Sequence, residues 1–79
     1  MQHKLKTLPE FFSAIVSKEK NFECRYDDRC FNVGDSLMLY EYDGKDYTGV
    51  YCIRRVTYIL RNFTGLKEGY VIMALTEWI

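Results

Sequence analysis

The chain has 79 residues, with eleven acidic side chains balancing eleven basic ones and aromatic residues making up 16% of the total. This length fits one small domain, spanning residues 1–79, that buries about 60% of its unfolded surface. Zero net charge argues against a general electrostatic DNA binder, whose affinity comes from phosphate neutralisation, and no apolar run approaches the ~18 residues needed to span a bilayer.

Residues His3 to Thr7 read as a first strand with Leu5 facing inward. Thr7-Leu8-Pro9-Glu10 has the capping-box pattern, in which the Thr7 hydroxyl accepts from the Glu10 N–H and Glu10 reaches back. Pro9 suits a first helical turn, where its missing N–H has no partner to lose. Leu8, Phe11, Phe12, Ile15 and Val16 then recur at i, i+3, i+4, i+7 and i+8, one apolar helical face. The helix is predicted to end between Ser17 and Lys20, with Asn21 in the left-handed conformation that closes it.

From Phe22 the period becomes two: Phe22, Cys24 and Tyr26 point one way, Glu23 and Arg25 the other. Asp27-Asp28-Arg29 and Asn32-Val33-Gly34-Asp35 read as turns, the second using Gly34 for positive φ and Asp35 as a cap. Ser36 to Tyr42 is a strand, Leu37 and Leu39 alternating with Met38, Tyr40 and Tyr42. Asp43-Gly44 begins a hairpin loop that runs through Asp46. Tyr47 to Leu60 is longer than a usual strand, so a bend or bulge is predicted near Arg54-Arg55. Arg61 to Gly69 is a loop with Phe63 and Leu66 tucked beneath it, and Tyr70 to Trp78 is a nearly all-apolar, central strand.

This order gives an α+β, mostly β class: a small open β-barrel of five to six strands, capped by one N-terminal α-helix. Three cysteines, Cys24, Cys30 and Cys52, lack paired short spacing, so neither a disulfide framework nor a zinc site completed by His3 is expected. They read as buried free thiols. No metal or cofactor is expected. With no signal-peptide h-region at the N-terminus, the expected location is the cytoplasm.

His3-Lys4-Leu5-Lys6, Pro9, Phe12, Lys20-x-x-Glu23-x-Arg25 and Arg29-x-Phe31-x-Val33-Gly34-Asp35 together resemble the ASCH group of the PUA-like superfamily, and more closely a small bacterial and phage family of uncharacterised ASCH-like domains. Thr57-Tyr58-Ile59-Leu60 and Gly65 to Val71 carry the likeness onward. The resemblance implies a PUA-like barrel with a helix across one end and a cleft beside Lys20, Glu23 and Arg25. It also implies RNA or nucleotide as partner. Some relatives hydrolyse modified nucleosides, but Glu23 stands where those enzymes carry threonine. Lys18 stands where the family often has glycine.

The charged group suits recognition of one or a few unpaired nucleotides. Arg25 offers a two-point fork for phosphate or a base edge, Lys20 a mobile charge, and Glu23 an acceptor for an exocyclic amine. Tyr26, Tyr40 or Tyr42 offers a stacking surface. Arg29 either anchors its turn through Asp27 or Asp35 or joins the cleft, and His3 is a further ligand candidate near neutral pH. From spacing alone, Glu23 and Arg25 equally fit the solvated face of an antiparallel strand. Two other functions stay open: a small amidohydrolase with Lys20 as base and Glu23 orienting or protonating, and a protein-interaction accessory. A monomer or a weak homodimer is expected, the latter through Met38-Tyr40-Tyr42 or Trp78-Ile79.

Overall fold

The strand β1 (Gln2–Thr7) opens the chain, with His3, Leu5 and Thr7 facing the interior. The structure is a computed structural model, and it describes residues 1–77. After β1 come the helix α1 (Pro9–Val16) and the strands β2 (Phe22–Tyr26), β3 (Ser36–Tyr42), β4 (Tyr47–Leu60) and β5 (Tyr70–Glu77). The strands form one curled sheet in the order β1-β3-β4-β5-β2. β1 runs parallel to β3, and every other neighbouring pair is antiparallel. The result is a mostly β half-barrel with one short helix, and β1 and β2 are its two edges.

The interior is filled by Leu5, Ile15, Phe31, Leu37, Leu39, Val56, Val71, Met73 and Leu75. Phe31 enters from the loop after β2, and its ring meets His3 edge-on at 4.8 Å. Gly34 takes φ +97° in the turn leading to β3, and the Asp35 carboxylate accepts from the Asn32 N–H at 3.0 Å. Both agree with the turn read from the sequence.

Several local expectations are corrected. Pro9 occupies the first helical turn and Leu8, not Thr7, is the N-cap, with extended φ −62° and ψ 150° and no side-chain cap. Proline disfavours helical geometry in the residue before it. The helix therefore starts one residue too late for Thr7 to cap. Only Phe12 and Ile15 of the apolar stripe are buried, while Leu8, Phe11 and Val16 are exposed. The left-handed residue that closes the helix is Lys18 (φ +69°), not Asn21, and the Lys20 N–H donates to the Ala14 carbonyl. That is the position where the resemblance leads one to expect glycine, the residue that adopts this conformation without penalty.

The irregularity in β4 against β5 falls between Val56 and Tyr58, beyond the paired arginines. Phe63 is exposed rather than tucked under its loop. β5 lies inside the sheet between β4 and β2, as its apolar run suggests; Trp78 and Ile79 lie outside the described residues.

Candidate functional site

β2 carries Glu23 and Arg25 of the predicted charged group, and Lys20 lies just before it. Glu23 is buried at 3% exposure, whereas Phe22, Tyr26 and Cys24 are exposed. A carboxylate enters an interior only if its lone pairs are met, and here two cations meet them. Lys20 Nζ lies 2.8 Å from Glu23 Oε1, and Arg25 Nε lies 2.7 Å from Glu23 Oε2. The solvated-face reading of Glu23 is thereby overturned, and so is the expectation of buried thiols at Cys24 and Cys30, which are both exposed. Cys52 is half-buried; burial pushes its thiol above the ordinary range, Arg54 opposing and Glu23 adding to the effect.

The same cations serve the open edges of the sheet. Lys20 Nζ donates to the Phe22 carbonyl at 2.7 Å. Arg25 Nη2 donates to the Lys6 carbonyl at 2.7 Å, and Arg29 Nη1 to the Lys4 carbonyl at 2.9 Å. Lys4 and Lys6 lie two apart on β1, so their carbonyls project the same way along that edge. β1 and β2 do not pair with each other. Arginine side chains reach from β2 and its following loop to β1. An edge strand with free backbone groups invites unwanted pairing, and charged side chains are one means of covering it.

Beside this seam lies a cleft of about 450 Å³ lined by Lys6, Thr7, Leu8, Phe11, Lys20, Phe22, Glu23, Cys24 and Arg25. That size falls within the range of small-ligand sites. Phe11 and Phe22 are each close to half exposed, and the Lys20 ammonium lies 5.6 and 4.9 Å from their ring centroids. Thr7 is 3% exposed, and its hydroxyl has no hydrogen-bond partner among the described residues. Such a group costs about 1–3 kcal/mol when left unmet.

The structure thus brings Lys20, Glu23 and Arg25 together on one cleft. Arg29 lies at the seam: its side chain is within 3.8 Å of Asp28 and donates to the Lys4 carbonyl, while its backbone N–H donates to the Asp27 carboxylate in the turn. Asp27 is held by Arg61 and the Phe31 N–H. Burial acts against its ionisation, but these donors outweigh burial and keep its carboxyl below the ordinary range. His3 stands apart from the cleft, buried, with Nε2 2.8 Å from Asp35 Oδ2. The Met1 amino group reaches Asp35 Oδ1 at 3.0 Å. Burial opposes ionisation of Asp35, but the bonds from His3, the Asn32 N–H and the amino group prevail and hold its carboxyl low.

Tyr42 lies on the opposite side of β1 from the cleft, within a group of tyrosines, with Lys6 Nζ 4.6 Å from its ring centroid. Lys6, Thr7, Leu8, Phe11, Phe22 and Cys24 are the cleft residues outside the set read from the sequence. Pro9 carried the signal for Thr7, because it moves the cap to Leu8 and leaves the threonine hydroxyl without that task. Among the described residues, no group of three or more His, Cys, Asp or Glu is arranged to hold a metal, and no helix is long and apolar enough to cross a membrane.

No curated protein matches the chain. The family described as a domain of unknown function (DUF3850) matches residues 2–75. That match takes in both edge strands, the helix and every residue of the cleft, and the chain belongs to this family.

Proposed function

We infer that the cleft binds a single unpaired nucleobase, presented by an RNA or a free nucleotide. The observation that carries this reading is the buried Thr7 hydroxyl, which has no partner among the described residues and lines the same cleft as the buried Glu23 carboxylate and the half-exposed rings of Phe11 and Phe22. Two phenyl faces offer stacking to a flat heterocycle, worth about 1–3 kcal/mol per base in single-strand binders. Each carboxylate oxygen has lone pairs to spare after one donor, so Glu23 can accept from an exocyclic amine. Thr7 can donate to a ring nitrogen or carbonyl. Lys20 and Arg25 already donate to backbone carbonyls and to Glu23. They hold the acceptor in place, and the base rather than the phosphate is what the cleft reads.

This reading favours kinship with the ASCH group, whose resemblance implies a cleft at this position. The hydrolase alternative asks Lys20 to act as a base, whereas its ammonium here donates to two acceptors. The binding reading therefore has the stronger geometric support.

The test is a heteronuclear NMR titration of cytidine, adenosine, uridine and guanosine and their 5′-monophosphates into the wild type, Phe22→Ala and Thr7→Val. Saturable shifts centred on residues 6–8, 11 and 20–25, preferring amine-bearing bases and weakened by both substitutions, are expected. No saturable shift with any of the eight compounds at low salt overturns the reading.

A further inference from the structure

On the other side of β1 from the cleft, the outer face of the sheet carries a row of aromatic rings. Lys6 pairs with Tyr40 across β1 and β3, Tyr40 pairs with Tyr51 across β3 and β4, and Tyr42 pairs with Tyr47. Tyr40 and Tyr51 stack at 5.1 Å with an interplanar angle of 24°, and the Tyr47 ring meets Tyr42 at 5.3 Å and Tyr40 at 6.1 Å, edge-on. Cross-strand pairing of this kind stabilises a sheet, yet it leaves Tyr47 and Tyr51 56% and 51% exposed.

A groove of about 330 Å³ lies among these rings, lined by Lys4, Leu5, Tyr40, Tyr47 and Gly49. Gly49 has φ +101° and open space where a Cβ would stand, so its backbone leaves the groove unobstructed. The cleft and the groove are adjacent along β1: Lys6 and Thr7 line the first, Lys4 and Leu5 the second. The Lys6 ammonium lies above the tyrosines, 4.6 Å from Tyr42 and 6.0 Å from Tyr47.

We propose that the Tyr40–Tyr47 groove is a second base-stacking subsite, so that the ligand is a single-stranded oligonucleotide crossing β1 rather than an isolated nucleotide. This rests on the base-binding reading of the cleft. The charges favour a polyanion at the crossing. Lys4 and Lys6 flank it, and no acidic side chain lines the groove. Glu41, Asp43 and Asp46 of the neighbouring hairpin do not line the groove. Neighbouring bases stack on the aromatic faces of cleft and groove, and the phosphates at the crossing meet Lys6 and Lys4. Stacking of this kind tolerates any base, because every base has a π face. Sequence preference therefore comes from the cleft.

The experiment compares a nucleoside monophosphate with single-stranded RNA di- and trinucleotides by calorimetry, using wild type, Tyr47→Ala, Lys4→Gln and Phe22→Ala. The trinucleotide is expected to bind wild type at least tenfold more tightly than the monophosphate. Tyr47→Ala abolishes most of that gain and leaves monophosphate affinity unchanged. Lys4→Gln lowers the salt slope of trinucleotide binding by about 0.7, the value for one phosphate contact on a single strand. Equal affinities for monophosphate and trinucleotide, or a trinucleotide affinity unmoved by both substitutions, overturn the second subsite while leaving the cleft intact. Trinucleotide binding that responds to Tyr47→Ala but not to Phe22→Ala keeps the groove and removes the cleft. Absence of binding by every ligand removes both.

Discussion

Arg25 donates through Nη2 to the main-chain carbonyl of Lys6 at 2.7 Å, so a guanidinium rather than a backbone ladder joins the two edges of the sheet. The same side chain holds Glu23 through Nε. Hydrogen bonds to charged groups contribute about 1.5–3 kcal/mol each when shielded; Arg25 is about a quarter exposed, which reduces this.

Arg25→Ala is accordingly expected to lower unfolding stability by about 2 kcal/mol, within the range set by such bonds. Arg25→Lys should recover less than half of that, because an ammonium lacks the planar fork that spans two acceptors. Urea denaturation decides the matter. A loss below about 0.5 kcal/mol in Arg25→Ala would mark the residue as an ordinary surface charge.

Thr7→Val tests the unmet hydroxyl from the opposite direction. Removing a buried hydroxyl that has no partner among the described residues should raise stability by about 1 kcal/mol, since valine nearly matches threonine in shape. The same substitution should weaken base binding about tenfold, the worth of one hydrogen bond of ~1.4 kcal/mol. A variant that gains stability and loses affinity separates a functional hydroxyl from a structural one. A variant that loses stability shows that Thr7 has a partner in the folded protein.

Acid should unfold the protein through Asp35 and Asp27. Both carboxyls are held below the ordinary value of 3.8 in the folded state, against burial, by the hydrogen bonds and positive groups around them. A depressed folded pKa gives stability that is present in full above the unfolded pKa and disappears as pH falls through the folded one. The urea midpoint should therefore fall below about pH 4. Asp35→Asn should be less stable than wild type at neutral pH and show a shallower acid decline. An acid limb of unchanged depth in Asp35→Asn and Asp27→Asn would refute this assignment.

Native-state alkylation with iodoacetamide should label Cys24 and Cys30 readily and Cys52 slowly. The first two are exposed, while Cys52 is half-buried and burial disfavours its thiolate, the reactive form. Peptide mass mapping over time provides the check. Cys52 reacting as fast as Cys30 would mean that the middle of β4 opens freely.

The elements were legible where one pattern dominated. The β-branched and aromatic run of Tyr47–Leu60 and the alternation of Ser36–Tyr42 gave both strands their observed bounds. The face of β2 was not legible by the same rule. Phe22, Cys24 and Tyr26 carry the apolar alternation, yet Glu23 takes the interior because Lys20 and Arg25 neutralise it there. A period of two shows that a strand has two sides, but partners distant in the chain decide which side is in. Lys20, Glu23 and Arg25 were found as a group because they lie within six residues of one another. Phe11 and Thr7 were missed because each was assigned a structural task, helix stripe and helix cap, that it does not perform.

The arginine-bridged seam has a mechanical consequence. Parting β1 from β2 breaks the hydrogen bonds from Arg25 and Arg29 and leaves the four backbone ladders whole. Such motions also part the buried Phe31 ring from His3, so they disturb the core as well as the surface. They also widen the very hollow that Thr7, Phe11 and Phe22 surround. Among the hydrogen bonds that join these two edges are those of Arg25 and Arg29 to the Lys6 and Lys4 carbonyls.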